Sequence, residues 1–515
     1  MRHLKIGWLQ NKYIYIFTFY AILIFSSCSY EFPEEDFLAS SGSADFSNFI
    51  SVGGSITAGY MNGSLYNEGQ SFSWPSILAR QMALVDGGTY IQPLIHSENG
   101  YNREASFADQ VKGRYVYQFI SRDTVSPSIV ALDGEFPASL EEDISLLNNW
   151  GVPGIKSFQI TEPGLSGNIY YDRLTGINES TSLIQNAANT NPTFFTLLIG
   201  LHDVLNYALS GGTGNPDPVP SPEQIEKNDL TPVSVFEDSF NQAVSLLTTN
   251  LNTRGIIATL PNVTEFAYFT TIQPNQIRIA TSDTQYDDFD ALYDFYKEFN
   301  NAVKFHNWFS PKELHRPTVV FIGGFGLTPP QPLVINDKNL PDAFYPDGRP
   351  IPKIRLIQPD ERVLLNLPIE QLDAKGFGYM IPVPDEYILT LDEMNIIEKR
   401  VNQFNNFISQ AVQQNQGQLA LVDLKTILHQ MALSTLVDEF EQPVYPEKLI
   451  SKAGVPLRFD LEIDGFFSLD GKYPNPKGSA YIANRFVEIL NDKFGARLPL
   501  TDINHFKGNT FYNAF

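Results

Sequence analysis

The sequence predicts an α/β protein built on a parallel sheet and interrupted by inserted loops or a cap subdomain. Three observations carry that prediction. Short apolar runs rich in β-branched and aromatic residues recur along the chain, helical patterns lie between them, and Gly/Pro-rich stretches break the alternation.

The first 27 residues form a separate element. Arg2, Lys5 and Lys12 precede an apolar run over residues 14–25, followed by Ser26, Ser27 and the single cysteine, Cys28. A basic start, an apolar run of about 7–15 residues and small residues before a cleavage point describe an export signal, since a spanning helix needs about 20. A lone cysteine directly after two small residues resembles the bacterial lipobox, which implies lipid on Cys28 and a membrane anchor. Phe25 stands where the lipobox prefers Leu. Residues 28–47, with Glu31, Glu34, Glu35 and Asp36, read as an acidic tether; similar acidic stretches accompany lipoproteins sent to the cell surface. With one cysteine no internal disulfide can form, so stability rests on the core.

Loss of the signal removes three of the 35 basic residues and none of the 58 acidic ones, leaving 32 against 58 and a net charge of −26. Such a balance argues against nucleic acid as a partner.

The strand candidates are residues 49–52, 193–199, 256–260, 318–322 and Leu419–Val422. The clearest helix begins after Thr390, where Thr-x-x-Glu to Glu393 forms a capping box, and Ile397, Val401, Phe404 and Ile408 then share one face. Residues 211–232, with Pro216, Pro218, Pro220 and Pro222, read as an extended loop. Residues 262–385 read as an inserted cap with a helix-like segment over 287–309. The α/β core is thereby expected over 48–261 and 386–495, with 496–515 as a C-terminal tail.

Chemistry concentrates in a few blocks. Gly53-Gly54-Ser55-Ile56 follows the first strand, a turn that lifts a serine to the carboxyl edge of a sheet beside backbone N–H groups. Taken alone, a serine there is as well explained as a helix cap. Gly151-Val152-Pro153-Gly154, Gly200-Leu201-His202-Asp203 and Asp470-Gly471-Lys472-Tyr473-Pro474 follow in order. In these blocks the chain resembles the SGNH, or GDSL, hydrolase family, and more narrowly its Bacteroidetes-type lipoprotein members. The resemblance runs along most of residues 48–490.

It implies a flavodoxin-like three-layer α/β/α fold, ester hydrolysis on lipid or acylated-glycan substrates, and outer-membrane localisation. It implies Ser55 as nucleophile, with the N–H groups of Ser55 and Gly154 as oxyanion donors. His202 stands where the family has an asparagine donor. Asp470 occupies the position of the orienting aspartate, and Tyr473 that of the base histidine. Gly54 replaces the Asp or Asn usual before the serine.

The exchange at 473 is the severe one. A phenol with a pKa of about 10 is only ~0.1% ionised at neutral pH and has no second nitrogen to receive orientation from Asp470. Among the remaining histidines, His202 is expected on the oxyanion side of Ser55, opposite the side from which a base approaches, and His505 in a loop of the tail. Two readings stay open: a serine ester hydrolase weakened at its base, or a pseudoenzyme that keeps the cleft to bind a ligand or glycan. No metal-ligand spacing and no phosphate-cradling loop appears, so no cofactor is expected. Asp287, Asp288 and Asp290, and Asp360-Glu361, read as solvated acidic faces, and residues 321–326 as a tight glycine turn.

Overall fold

The computed structural model describes residues 38–107, 109–119, 128–163, 167–175, 180–274, 289–320, 332–368, 377–379, 381–434 and 457–512. Cys28, the segment expected to be an export signal and the acidic run after Cys28 lie outside the described residues, as do 321–326. The strands β1 (Phe49–Gly53), β2 (Asn149–Gly151), β3 (Phe194–Leu198), β4 (Arg254–Ala258) and β5 (Leu419–Val422) form one sheet. Every pairing in it is parallel, with Gly53 opposite both Gly151 and Leu198. The spatial order is β5-β4-β3-β1-β2. Read from its other edge, that is 2-1-3-4-5, one of the common doubly wound orders, in which ligands bind outside the carboxyl ends of β1 and β3.

Burial explains the choice of strands. All five residues of β1 and all five of β3 are buried, so both faces of these strands are apolar, as a parallel sheet covered by helices requires. The two polar members, Ser51 and Thr196, satisfy each other through a 3.0 Å hydroxyl bond.

The helices α1 (Ser55–Ala58), α2 (Trp74–Met82), α3 (Leu201–Leu209), α4 (Val233–Leu247), α5 (Phe289–Phe309), α6 (Leu391–Gln414) and α7 (Pro476–Lys493) surround or extend the sheet. α2 meets α7 where the Trp74 and Phe486 rings stack at 4.2 Å, and α4 meets α6 where Phe236 and Phe404 stack at 4.0 Å. The cap of α6 is as the sequence predicts: the Thr390 hydroxyl accepts from the Glu393 N–H while the Glu393 carboxylate accepts from the Thr390 N–H. Ile397, Val401, Phe404 and Ile408 face the core.

Two expectations need correction. Residues 318–320 form no strand, and 321–322 lie outside the described residues. The Val319 backbone instead exchanges two bonds with the Asn300 side chain of α5, at 2.8 and 2.7 Å, so an amide does what a neighbouring strand would. Glu361 is not solvated. It is fully buried and pairs with Arg355 at 2.6 Å, while Asp337 holds the other side of that guanidinium at 2.7 Å. This trio sits in a second apolar core spanning Ile272 to Ile388, which Tyr296, Phe299 and Val303 of α5 help to build. Val263, Phe266 and Phe269 belong to the main core, and the second core takes in residues from Ile272 onward. The tail returns to the body: the Tyr512 N–H donates to the Tyr117 carbonyl.

Candidate functional site

The site lies at the carboxyl ends of β1 and β3. Gly53 ends β1, and Ser55 opens α1 in the next turn, as the sequence predicts. Gly200 follows β3 with φ +103°, and a Cβ there would fall 2.6 Å from the Phe236 ring, so only glycine turns the chain tightly enough to deliver His202. β2 brings Gly154 alongside, and the Gly154 N–H donates to Ser55 Oγ at 3.1 Å. Asp203 locks the two blocks together: its carboxylate accepts from the Ser157 N–H at 2.8 Å and the Ser157 hydroxyl at 2.7 Å.

Ser55, Gly154, His202, Asp470 and Tyr473 are therefore brought together, but two of them are not where the sequence reading puts them. His202 does not stand apart from the base position. Its Nε2 is 3.4 Å from Ser55 Oγ and 2.9 Å from the Tyr473 hydroxyl, bridging the nucleophile and the residue in the histidine slot. Asp470 does not orient the side chain at 473. Its carboxylate accepts from the main-chain N–H groups of Gly63, Lys472 and Tyr473 at 2.9, 2.8 and 3.0 Å. His505 is exposed beside Asp502, in the tail and away from Ser55 as the sequence predicts.

The electrostatics weaken both candidate bases. Burial pushes His202 from 6.5 down to about 3, with the charges of Lys472, Lys156 and Lys227 acting in the same direction. The ring is therefore neutral at physiological pH. Burial also raises the Tyr473 phenol above its ordinary range, against the opposing effect of Lys472 and Ser55, so it stays protonated. The Ser55 and Tyr473 hydroxyls compete for the one lone pair of His202 Nε2. With its proton on Nδ1, His202 accepts at Nε2, and Tyr473 is the closer donor. Nδ1 itself is buried without a partner among the described residues, none of which orients the ring as a carboxylate would.

Access is narrow: Ser55 is 1% exposed and Tyr473 5%. The Tyr60 ring meets Tyr473 edge-on at 5.4 Å and helps fix it in place. Gly54 leaves room, since a Cβ there would lie 3.6 Å from His202 Nδ1. A cavity of about 420 Å3 lies elsewhere, in the proline-rich loop beside Asn215, Gln224 and Asp229, with neither serine nor histidine in its wall.

Sequence reasoning missed Lys472 and Glu104. Lys472 is buried, and its ammonium sits 2.6 and 2.7 Å from the two Glu104 oxygens and above the Tyr268 ring. Lys472 lies inside the Asp470 block and was legible as part of it, but nothing in the sequence signals its burial. No family model matches the chain, and no significant match is found among curated proteins.

Proposed function

We propose that this chain is an exported envelope lipoprotein, anchored through Cys28, whose α/β domain is a slow ester hydrolase of the SGNH/GDSL type with a three-layer α/β/α arrangement. Ser55 is the acyl-accepting hydroxyl. The observation that carries this reading is that Ser55 Oγ, at the switch point of the sheet, contacts both an N–H placed to receive an oxyanion and an imidazole nitrogen.

In this reading Ser55 Oγ attacks the ester carbonyl and its proton passes to His202 Nε2. The developing oxyanion takes hydrogen bonds from the Ser55 and Gly154 N–H groups. The alkoxide leaves with the proton from His202, and water then repeats the sequence to free the acid and restore the serine. His202 acts as base here, so it does not also supply the third oxyanion bond. Removing such a donor costs roughly a hundred- to a thousandfold in turnover. A ring held near pKa 3 is also a reluctant base.

A second reading, ligand binding without turnover, is favoured by one observation: Tyr473 already occupies Nε2 at 2.9 Å, shorter than the 3.4 Å contact with Ser55. Hydrolysis of short p-nitrophenyl esters separates the two. Slow turnover that Ser55→Ala removes supports the hydrolase; a rate identical in wild type and Ser55→Ala leaves only binding.

A further inference from the structure

We propose that the proline-rich loop over residues 211–232 is a saccharide-binding subsite, whose cavity takes an uncharged sugar through the amide side chains of Asn215, Gln224 and Asn228. The proposal goes beyond the hydrolase reading and does not depend on it, because the cavity wall holds neither Ser55 nor His202.

The loop is braced rather than loose. The buried Asp229 carboxylate accepts from the Asn215 N–H at 2.8 Å and from the Glu226 N–H at 2.9 Å, and the Leu230 N–H donates to the Asn215 carbonyl at 3.0 Å. These bonds tie the two arms of the loop together at their base. Two cations then fix the loop to the body. The buried Lys156 ammonium donates to the carbonyls of Glu226 and Asp229 at 3.0 and 2.7 Å. From α6, the Arg400 guanidinium donates to the Thr231 carbonyl and, at 3.2 Å, to that of Pro216. Pro216, Pro218, Pro220 and Pro222 restrict the backbone between these ties. A cavity held in this way is preformed, so a ligand entering it does not have to order the walls.

The space of about 420 Å3 falls within the range of small-ligand sites, but its wall is more polar than is usual for them. Thr213, Asn215, Gln224 and Asn228 supply a hydroxyl and three amides, and Pro218 and Val219 a short aliphatic face. The side chains of Thr213, Gln224, Glu226 and Asn228 form no hydrogen bond or ion pair to another described residue, so their donors and acceptors are available. Asn215 Oδ1 accepts from the Asp217 N–H at 3.0 Å, which leaves its Nδ2 group to donate. Each amide carries both donors and an acceptor, and each sugar hydroxyl does the same, so neighbouring hydroxyls pair with such a wall in either sense. The Pro218 and Val219 carbons suit the C–H face of the ring. Charge argues for a neutral occupant. No Lys, Arg or His stands in the wall to meet an anion, and of its two carboxylates Asp229 is already taken by main-chain N–H groups, leaving only Glu226 for a cation.

Ligand-observed NMR titration of the wild-type protein with maltotriose, cellotriose and triacetylchitotriose, beside glucosamine and trialanine, tests the subsite without requiring turnover. At least one trisaccharide is expected to bind with a Kd of about 1 mM, and more tightly than glucosamine or trialanine. Gln224→Ala combined with Asn228→Ala, both at exposed positions outside the ties of the loop, should weaken that binding about tenfold with the melting temperature unchanged. Glu226→Gln, which keeps a hydrogen-bonding group, should leave it within about twofold. Failure of every trisaccharide to bind at about 10 mM, or binding unchanged in the double variant, overturns the proposal. So does tighter binding of glucosamine that Glu226→Gln removes, which would make this an ammonium site, or tighter binding of trialanine, which would make it a peptide site. If the sugar results hold while Ser55 attacks no ester, the subsite stands and the hydrolase reading fails.

Discussion

Replacing Tyr473 with histidine probes the site at its weakest point. The Tyr473 N–H already meets Asp470 at 3.0 Å, so an imidazole at 473 starts from a backbone position tied to a carboxylate. The substitution also frees His202 Nε2 from the phenol that now contacts it at 2.9 Å. A base near pKa 6.5 in place of one near 3 removes a proton-transfer deficit of at most ~5 kcal/mol, at about 1.4 kcal/mol per unit. Only part of that reaches the transition state, and a positioned general base contributes typically 10²–10⁴-fold. We expect kcat for a short p-nitrophenyl ester to rise about a hundred- to a thousandfold in Tyr473→His. The pH profile should change with it. Wild-type turnover stays flat between about pH 5 and 9, because His202 is neutral down to about 3 and Tyr473 stays protonated above its usual range. The variant instead gains activity as pH rises through its imidazole pKa. A variant rate equal to wild type, with intact folding by circular dichroism, would refute the claim that the missing base limits the reaction.

The remaining predictions concern stability. His202 has a folded-state pKa below its unfolded value, so its contribution is fully present above about pH 6.5 and is lost as pH falls toward 3. The loss of melting temperature between pH 7 and 4 should accordingly be smaller in His202→Asn than in wild type; an identical loss would show that His202 charges freely in the fold. In the inserted core, Glu361→Gln leaves Arg355 with one carboxylate partner in a buried setting and should destabilise by about 3–5 kcal/mol, as measured by urea unfolding. A change under ~1 kcal/mol would mean that the trio is solvated in solution.

The framework of the fold is legible because its strands are buried on both faces. β1, β3, β4 and β5 appear in the sequence as mainly apolar runs, with Ser51, Thr196 and Arg254 as the polar exceptions, and α6 announces itself through Thr390 and Glu393. β2 escapes notice because it has three residues, one of them Asn149, yet it is the strand that carries Gly154 to Ser55. The segment at 318–320 shows the converse, since a strand-like composition was satisfied by one asparagine side chain. Glu361 was misread for a related reason: adjacent Asp360-Glu361 looks solvated until Arg355 is brought back against it.

At the site, the order of the blocks located Ser55, Gly154, His202 and Asp470, but the direction of each side chain was not readable. The position of His202 after β3 follows from sheet order, whereas its Nε2 contact depends on the Gly200 turn and on Tyr473 filling the opposite side. The Lys472–Glu104 pair spans 368 positions and leaves no local pattern.

The central claim is that the Ser55 hydroxyl attacks esters, slowly, within this fold. Mass spectrometry of the intact protein after exposure to a fluorophosphonate tests it most directly. Slow, stoichiometric labelling that maps to Ser55, is absent in Ser55→Ala and quickens in Tyr473→His is the predicted result. Labelling that maps to other residues, or no label on Ser55 in either protein, would contradict it.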